Sequence, residues 1–258
     1  MAPFFFATAS RSAVGLVRNG NEDSALTSAR VIAVADGMGG HAAGEVASSL
    51  AISSLVECAK VFIASDLDED SADDLFLNSI HNIDKSITDA VSENPQLSGM
   101  GTTLTALFLR SDAVALLHIG DSRAYRLRGN DLEQLSVDHT VIQELLNQGS
   151  ISESEIATHP QRSVLTQVLM GEGGIELPLP IFDVKDGDRF LLCSDGLSSV
   201  LSDKEIKSLL KGKDRDDAVN ALIDATYING APDNVTIVVA DIVESSQSDE
   251  FITLGAAT

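Results

Sequence analysis

The stretch VIAVADGMGGHAAGE, residues Val31–Glu45, joins a short apolar run to a glycine-rich turn and then to a helical segment. The apolar run has the length and the β-branched residues of a buried strand, and it ends on Asp36. The glycines that begin at Gly37 let the backbone turn sharply and approach a ligand closely, because glycine has no Cβ atom. This pattern predicts an aspartate at the end of a buried strand, facing any ligand that the glycine-rich loop binds.

Three further aspartates lie at the boundaries of apolar runs. LLHIGD ends on Asp121, RFLLCSDG places Asp195 after its run, and in APDNVTIVVAD Asp233 comes just before the last run. Taken singly, each of these aspartates is explained by the frequent occurrence of Asp in turns. In an antiparallel sheet, however, the end of one strand lies beside the start of the next, so that the four aspartates can share one edge. Four converging carboxylates repel one another unless a cation neutralises them, so the pattern predicts a metal site. Oxygen ligands without a His or Cys cluster favour Mg²⁺ or Mn²⁺ over zinc.

Composition limits the classes of protein and partner. The chain has 258 residues, 44% of them hydrophobic, and a net charge of −22, which argues against nucleic acid or an anionic membrane surface as a partner. The two cysteines do not indicate a disulfide framework, so a reducing cytoplasm fits the sequence. No signal peptide is evident, and we expect no stretch of ~20 apolar residues that would insert into a membrane.

Groups of adjacent strands alternate with pairs of helices along the chain. This order argues for antiparallel sheets covered by helices, in one domain over residues 1–243, and not for strict βαβ alternation. We expect the tail, residues 244–258, to be poorly ordered. Two short strands are predicted before Arg18, at Phe4–Ala9 and Val14–Val17, and Ser65–Asp74 is predicted to be a solvated acidic loop.

Six motifs occur in order between residues 7 and 242, and together they carry a resemblance to a known family. The chain resembles the metal-dependent protein serine/threonine phosphatases (the PPM, or type-2C, family), above all bacterial members that oppose membrane serine/threonine kinases in actinobacteria. The resemblance implies an α+β fold, a four-layer αββα sandwich with two central antiparallel sheets flanked by helix pairs. The motifs are GLVRNGNED, VADGMGGHAAGE, GMGTTLTAL, HIGDSRAYRL, LLCSDGLSSVLSDKEI and APDNVTIVVA.

The same resemblance implies roles for the aspartates. Asp36 would bridge two Mn²⁺ or Mg²⁺ ions, and the carbonyl of Gly37 would bind one of them. Asp195 and Asp233 would complete this core site, and Asp121 would hold a third ion together with Asp195. The implied reaction is hydrolysis of phosphoserine and phosphothreonine in proteins by a metal-activated water.

The polar turn Arg18–Asp23 is either a capped surface turn or a phosphate clamp. By resemblance, Arg18 holds the substrate phosphate, while Glu22 and Asp23 orient metal-bound waters. The long segment 139–171 corresponds to the family's flap, beside the site. The implied partners are phosphorylated proteins, including serine/threonine kinases. We expect a cytoplasmic monomer, or the cytoplasmic domain of a membrane-anchored protein if the chain is part of a longer one.

One position departs from the family pattern. Met38 stands where eukaryotic relatives have the histidine suspected to be the general acid, and methionine cannot donate a proton. His41 is a hypothetical replacement, although it could equally cap the following helix.

Two other functions are compatible with parts of the sequence. A pseudo-phosphatase would bind phosphoproteins without turnover, although all the metal-site aspartates and Arg18 are present. A dinucleotide-binding enzyme is the weaker rival, since Gly37, Gly39 and Ala42 match GxGxxA but the acidic partner, Glu57, falls within a predicted helix.

Overall fold

The computed structural model describes residues 4–40, 43–65, 67–152, 155–156 and 159–258. The strands in chain order are β1 Phe5–Ala13, β2 Asp23–Thr27, β3 Val31–Met38, β4 Gly101–Thr102, β5 Leu104–Leu109, β6 Ala113–Ile119, β7 Arg123–Arg128, β8 Asp131–Gln134, β9 Ile181–Asp183, β10 Arg189–Cys193, β11 Val235–Val243 and β12 Ile252–Gly255. The helices are α1 Ala43–Ala64, α2 Glu69–Glu93, α3 Val141–Asn147, α4 Asp195–Ser198, α5 Asp203–Leu210 and α6 Arg215–Ile228, with a short 3₁₀ turn at Pro95–Leu97.

The strands form two antiparallel sheets. The first has the spatial order β1-β11-β10-β7-β8, and the second β12-β2-β3-β5-β6-β9, with β4 paired to β3. Every strand pairing within the described residues is antiparallel. The α+β fold with two antiparallel sheets is therefore confirmed. The doubly wound parallel sheet that a dinucleotide-binding enzyme requires is not what these strands form, so that rival is wrong.

Three layers of buried side chains hold the sheets and helices together. One layer lies between α1, α2 and the second sheet, one between the two sheets, and one between the first sheet and α4–α6. Strand β3 shows how the layers are built, because Val31 and Ala33 belong to the helix-facing layer while Ile32 and Val34 belong to the layer between the sheets. A strand buried on both faces reads as a continuous apolar run, which explains the opening stretch.

The tail corrects one expectation. Residues 244–258 are not wholly irregular, because β12 pairs with β2 from Ile252↔Thr27 to Gly255↔Ser24. Phe251 and Ala257, on either side of β12, pack against the helix-facing core layer. The pairing supplies backbone hydrogen bonds to β2, which would otherwise be the edge strand. Residues 252–255 are therefore part of the second sheet.

Two other expectations differ from the structure. The segment Val14–Val17 is an exposed turn beyond β1 and not a second strand. Helix α2 begins inside the acidic stretch that was predicted to be a loop, because the carboxylate of Asp68 accepts a hydrogen bond from the backbone N–H of Ser71, 2.8 Å away, and caps the helix.

Helix α1 is long and apolar enough to cross a membrane, as judged by length and composition alone. This corrects the expectation that no such stretch exists. The helices of protein cores pass the same test, and α1 contributes Ala47, Ala51 and Leu55, all fully buried, to the layer that packs on β3.

Candidate metal centre

The four aspartates predicted from strand boundaries line one pocket of about 460 Å³. Asp36 lies near the end of β3 and Asp121 follows β6, while Asp195 begins α4 directly after β10 and Asp233 precedes β11. β3 and β6 belong to the second sheet, and β10 and β11 to the first. The pocket therefore lies where the two sheets bring these strand ends together.

Backbone hydrogen bonds fix Asp36 in its place. Its carbonyl accepts the N–H of Thr103 at 2.9 Å and the hydroxyl of Thr102 at 3.0 Å. Its own N–H donates to Oγ1 of Thr103 at 3.0 Å. Because both backbone groups are bonded, only the side chain of Asp36 is free to face the pocket. The two threonines were not predicted as part of the site, although they form the TT pair of GMGTTLTAL.

Two glycines permit the loops of the pocket to touch. A Cβ atom on Gly37 would lie 2.0 Å from the carbonyl oxygen of Gly44, and one on Gly196 would lie 1.9 Å from the carbonyl oxygen of Asn234. Neither position accepts a larger residue without moving the backbone. The contact at Gly196 brings the residue after Asp195 against the residue after Asp233.

Arg18 reaches the pocket from the turn that follows β1. Its Nη2 atom donates to Oδ2 of Asp233 at 2.6 Å, and its Nη1 atom lies 3.9 Å from Oε2 of Glu22. The turn is attached to the opposite loop by a hydrogen bond from the N–H of Leu16 to the carbonyl of Ala231, at 2.8 Å. The Arg18 side chain remains 43% exposed, so its guanidinium is accessible to a ligand.

Glu22 and Asp23 occupy different positions relative to the pocket. Glu22 lines it, and its backbone N–H donates to the side-chain oxygen of Asn234 at 2.9 Å. Asp23 is fully buried behind the pocket, where its carboxylate accepts the hydroxyl of Ser194 at 2.7 Å. Ser194 precedes Asp195 in the chain, so Asp23 supports the site from within the core. Sequence reasoning missed Asn234 and Ser194, which directly adjoin predicted ligands.

Burial raises the pKa of Asp36, Asp121 and Asp195, and neighbouring carboxylates raise it further. The pKa of Asp36 is raised well above its ordinary value by burial and then by the charges of the surrounding aspartates. Burial followed by the neighbouring Asp195 raises the pKa of Asp121 to about 7. Burial and then Asp233 raise the pKa of Asp195 to about 6. Burial is also the main cause for Asp23, whose pKa rises to about 7.

The donor set fits hard divalent cations. The described residues that line the pocket include five carboxylates and one guanidinium, for a formal charge of −4 when all are ionised. Two divalent cations would balance this charge, and carboxylate oxygens are the ligands that Mg²⁺ and Mn²⁺ prefer. Among the described residues, no three His, Cys, Asp or Glu side chains already form a closed ligand set. Asp233, one of the five carboxylates, is hydrogen-bonded to Arg18 in this arrangement.

The segment 139–171 forms one wall of the pocket. Ser163, Leu165 and Val168 line it, and the segment is attached to the second sheet through paired backbone hydrogen bonds between Leu169 and Thr102. Helix α3 begins this segment.

Met38, which lies between Gly37 and Gly39 in the glycine-rich turn, also lines the pocket. The predicted general acid His41, and Ala42 of the GxGxxA match, lie outside the described residues.

Comparison with known proteins identifies the family. The sequence model of the protein phosphatase 2C family matches residues 20–225. The serine/threonine protein phosphatase PstP of Mycobacterium tuberculosis is 43% identical over 240 residues, which cover 92% of this chain and 45% of the relative. The chain thus spans about half the length of that relative. The serine/threonine phosphatase stp of Listeria welshimeri is 33% identical over 233 residues, covering 88% of this chain and 92% of the relative.

Solved structures agree with the sequence comparison. The crystal structure of M. tuberculosis PstP superposes with a TM-score of 0.85 at 43% identity, covering 92% of this chain and 98% of the other. The catalytic domain of PstP in complex with two manganese ions has a TM-score of 0.84 at 40% identity, covering 93% and 99%. With the family match over most of the chain, these similarities show that the chain belongs to the protein phosphatase 2C family.

Proposed function

We propose that this chain is a Mn²⁺- or Mg²⁺-dependent phosphatase that hydrolyses phosphoserine and phosphothreonine in proteins and counteracts serine/threonine kinases. The observation that carries the proposal is the convergence of Asp36, Asp121, Asp195 and Asp233 in one pocket beside Arg18. Membership of the family, and relatives named as serine/threonine phosphatases, support it. Further proposals are that the protein acts as a cytoplasmic monomer and that kinases themselves are among its substrates.

Each pocket residue has a proposed role. Asp36, Asp195 and Asp233 would hold the two ions of the core site, and the carbonyl of Gly37 would bind one of them. Asp121 would hold a third ion with Asp195. Bound divalent cations would supply Lewis-acid activation of the attacking water and neutralise charge on the phosphoryl group.

Arg18 is proposed to bind the substrate phosphate. A guanidinium matches two phosphate oxygens with parallel N–H donors, so Arg18 would exchange the carboxylate of Asp233 for the phosphate. Glu22, on the pocket surface, would orient water directly. Asp23 would act through Ser194, because it is buried behind the pocket. His41 remains the proposed proton donor to the leaving alkoxide, since Met38 has no proton to give.

The experiment that tests the function is hydrolysis of a phosphothreonine peptide by the wild type and by Asp36→Asn, with Mn²⁺ and with EDTA. We expect turnover only in the wild type with metal. Asp89→Asn, an exposed carboxylate on α2, is the control and retains activity. Calorimetric titration with Mn²⁺ gives a second readout, because Asp36→Asn weakens metal binding. A folded wild type that binds Mn²⁺ but is inert with Mn²⁺ and Mg²⁺ would favour the pseudo-phosphatase.

A further inference from the structure

A buried carboxylate on α2 holds the loop that ends the pocket wall. Asp84 is 6% exposed, and its Oδ1 and Oδ2 atoms accept the N–H groups of Gly171 and Gly173, both at 2.7 Å. One turn along the helix, the hydroxyl of Thr88 donates to the carbonyl of Gly171 at 2.8 Å. Hydrogen bonds to an ionised acceptor are roughly twice as strong as neutral ones, so this contact fixes the loop to the helix.

The charge of Asp84 is satisfied by these amides. No ion pair joins Asp84 to a cation within the part of the chain that the structure describes, whereas the neighbouring Lys85 pairs with Asp89. A buried carboxylate without a cation depends on its hydrogen-bond donors. Asp84 is therefore suited to holding the loop. Without these two donors, burial of its carboxylate would be energetically unfavourable.

The loop conformation requires glycine. Gly171 and Gly173 have φ values of +79° and +73°, a region that other residues rarely adopt. A Cβ atom on Gly171 would lie 2.8 Å from the hydroxyl oxygen of Thr88. The close approach to α2 and the positions of both amides are thus set by the backbone.

The hydrogen bonds from Gly171 and Gly173 to Asp84 form a clamp between the loop and α2. This clamp is connected to the pocket through one backbone pairing. Two residues before Gly171, Leu169 exchanges backbone hydrogen bonds with Thr102 at 2.9 and 3.0 Å. The hydroxyl of Thr102 donates to the carbonyl of Asp36. Val168, adjacent to Leu169, lines the pocket. Movement of the loop at its α2 end would therefore displace the wall.

We propose that Asp84 is a positioning residue that sets the wall formed by Ser163, Leu165 and Val168, and thereby the binding of the polypeptide around the phosphorylated residue. The inference rests on the proposed function. A small aryl phosphate needs only the carboxylates and Arg18, whereas a phosphopeptide also contacts the wall. The two substrates therefore respond differently to loss of the clamp.

The test compares Asp84→Ala, Asp84→Asn and the control Asp89→Asn, on the same helix. With a phosphothreonine peptide and Mn²⁺, we expect kcat/KM of Asp84→Ala to fall about tenfold or more, mainly through KM. With an aryl phosphate, the change stays within about twofold. Asp84→Asn keeps one acceptor oxygen and has an intermediate effect, so it is informative even if the alanine variant folds poorly. Hydrogen–deuterium exchange over residues 164–174 rises in both Asp84 variants and is unchanged in the control.

Unchanged exchange over that segment, or equal losses on both substrates together with a lower melting temperature, would overturn the positioning role. Failure of the proposed function has a different signature. A wild type inert on both substrates refutes the phosphatase activity, while the exchange measurement still decides whether Asp84 anchors the loop.

Discussion

Asp121→Asn is expected to stabilise the metal-free protein above neutral pH. The substitution keeps the shape of the side chain and removes one carboxylate from a pocket with a formal charge of −4. The pKa of Asp121 is raised from 3.8 to about 7, first by burial and then by Asp195. Its ionised form is thus unfavourable in the folded protein.

The magnitude follows from the difference between the folded and unfolded pKa. Three pKa units at ~1.4 kcal/mol each put an upper limit of about 4 kcal/mol on the cost of ionising Asp121 at about pH 8. Asp195 shares the same field, so one neutral side chain removes part of the cost, and we expect a gain of ~2 kcal/mol in the free energy of unfolding. For a chain of this size, that gain raises the melting temperature by about 4–8 °C.

The sign of the pH dependence is fixed by linkage. Because the folded pKa lies above the unfolded one, the folded protein binds more protons between about pH 4 and pH 7, and its stability falls as the pH rises through that window. The gain from Asp121→Asn should therefore be near zero at about pH 4 and greatest above about pH 7.

The assay is thermal unfolding in EDTA, followed by circular dichroism at several pH values for the wild type, Asp121→Asn and the exposed control Asp89→Asn. Addition of Mn²⁺ should stabilise the wild type more than Asp121→Asn, since the cation uses the charge that the variant lacks. The reasoning would be refuted if Asp121→Asn were less stable than the wild type in EDTA at about pH 8, or if its effect were the same at every pH.

Two further predictions concern chemistry at the rim of the pocket. Arg18→Lys keeps the charge but loses the guanidinium fork, so kcat/KM for a phosphopeptide should fall by about tenfold to a hundredfold, mainly through KM; steady-state kinetics that match the wild type would contradict the phosphate role. His41→Ala should slow hydrolysis of a phosphoserine peptide more than that of an activated aryl phosphate, whose leaving group hardly needs a proton, and equal losses on the two substrates would contradict a general acid at this position.

The central strands could be predicted from the sequence because they are buried on both faces. Strands β3, β10 and β11 are short apolar runs that end or begin at an aspartate, and that arrangement was visible without the structure. Placing the aspartates at one edge required only the antiparallel order of strands. The roles proposed for the individual carboxylates came from the family resemblance, because spacing alone does not distinguish the function of one carboxylate from that of another.

Strands β2 and β12 were not predicted, since their sequence signals are weak and the two strands depend on each other. Strand β2, DSALT, is wholly buried, but Leu26 is its only large apolar residue and its first residue is Asp23. Strand β12 is four residues long and pairs only with β2, so missing one meant missing the other. Val14–Val17 reads as a strand, yet a Cβ atom on Gly15 would lie 2.3 Å from the carbonyl oxygen of Asp233, and the backbone turns there.

The role of Asp84 could not be predicted from the sequence for a different reason. It lies among many acids on α2, and its partners are backbone amides 87 and 89 residues away. No side-chain pattern records an interaction with a distant main-chain N–H. Residues that position a site through the backbone are therefore the part of a site that sequence reasoning is least able to find.

The pocket is stabilised by its backbone and destabilised by its charges. Asp36 is held through main-chain bonds to Thr102 and Thr103, which contribute nothing to neutralising its carboxylate. Nearby Arg123 is already committed to Asp138, with which it makes a bidentate pair. Within the described chain, Arg18 is the sole cation lining the pocket, and its guanidinium is already hydrogen-bonded to Asp233. The fold thus fixes the positions of the carboxylates while leaving most of their charge uncompensated, and the unmet charge favours binding of divalent cations at the expense of metal-free stability.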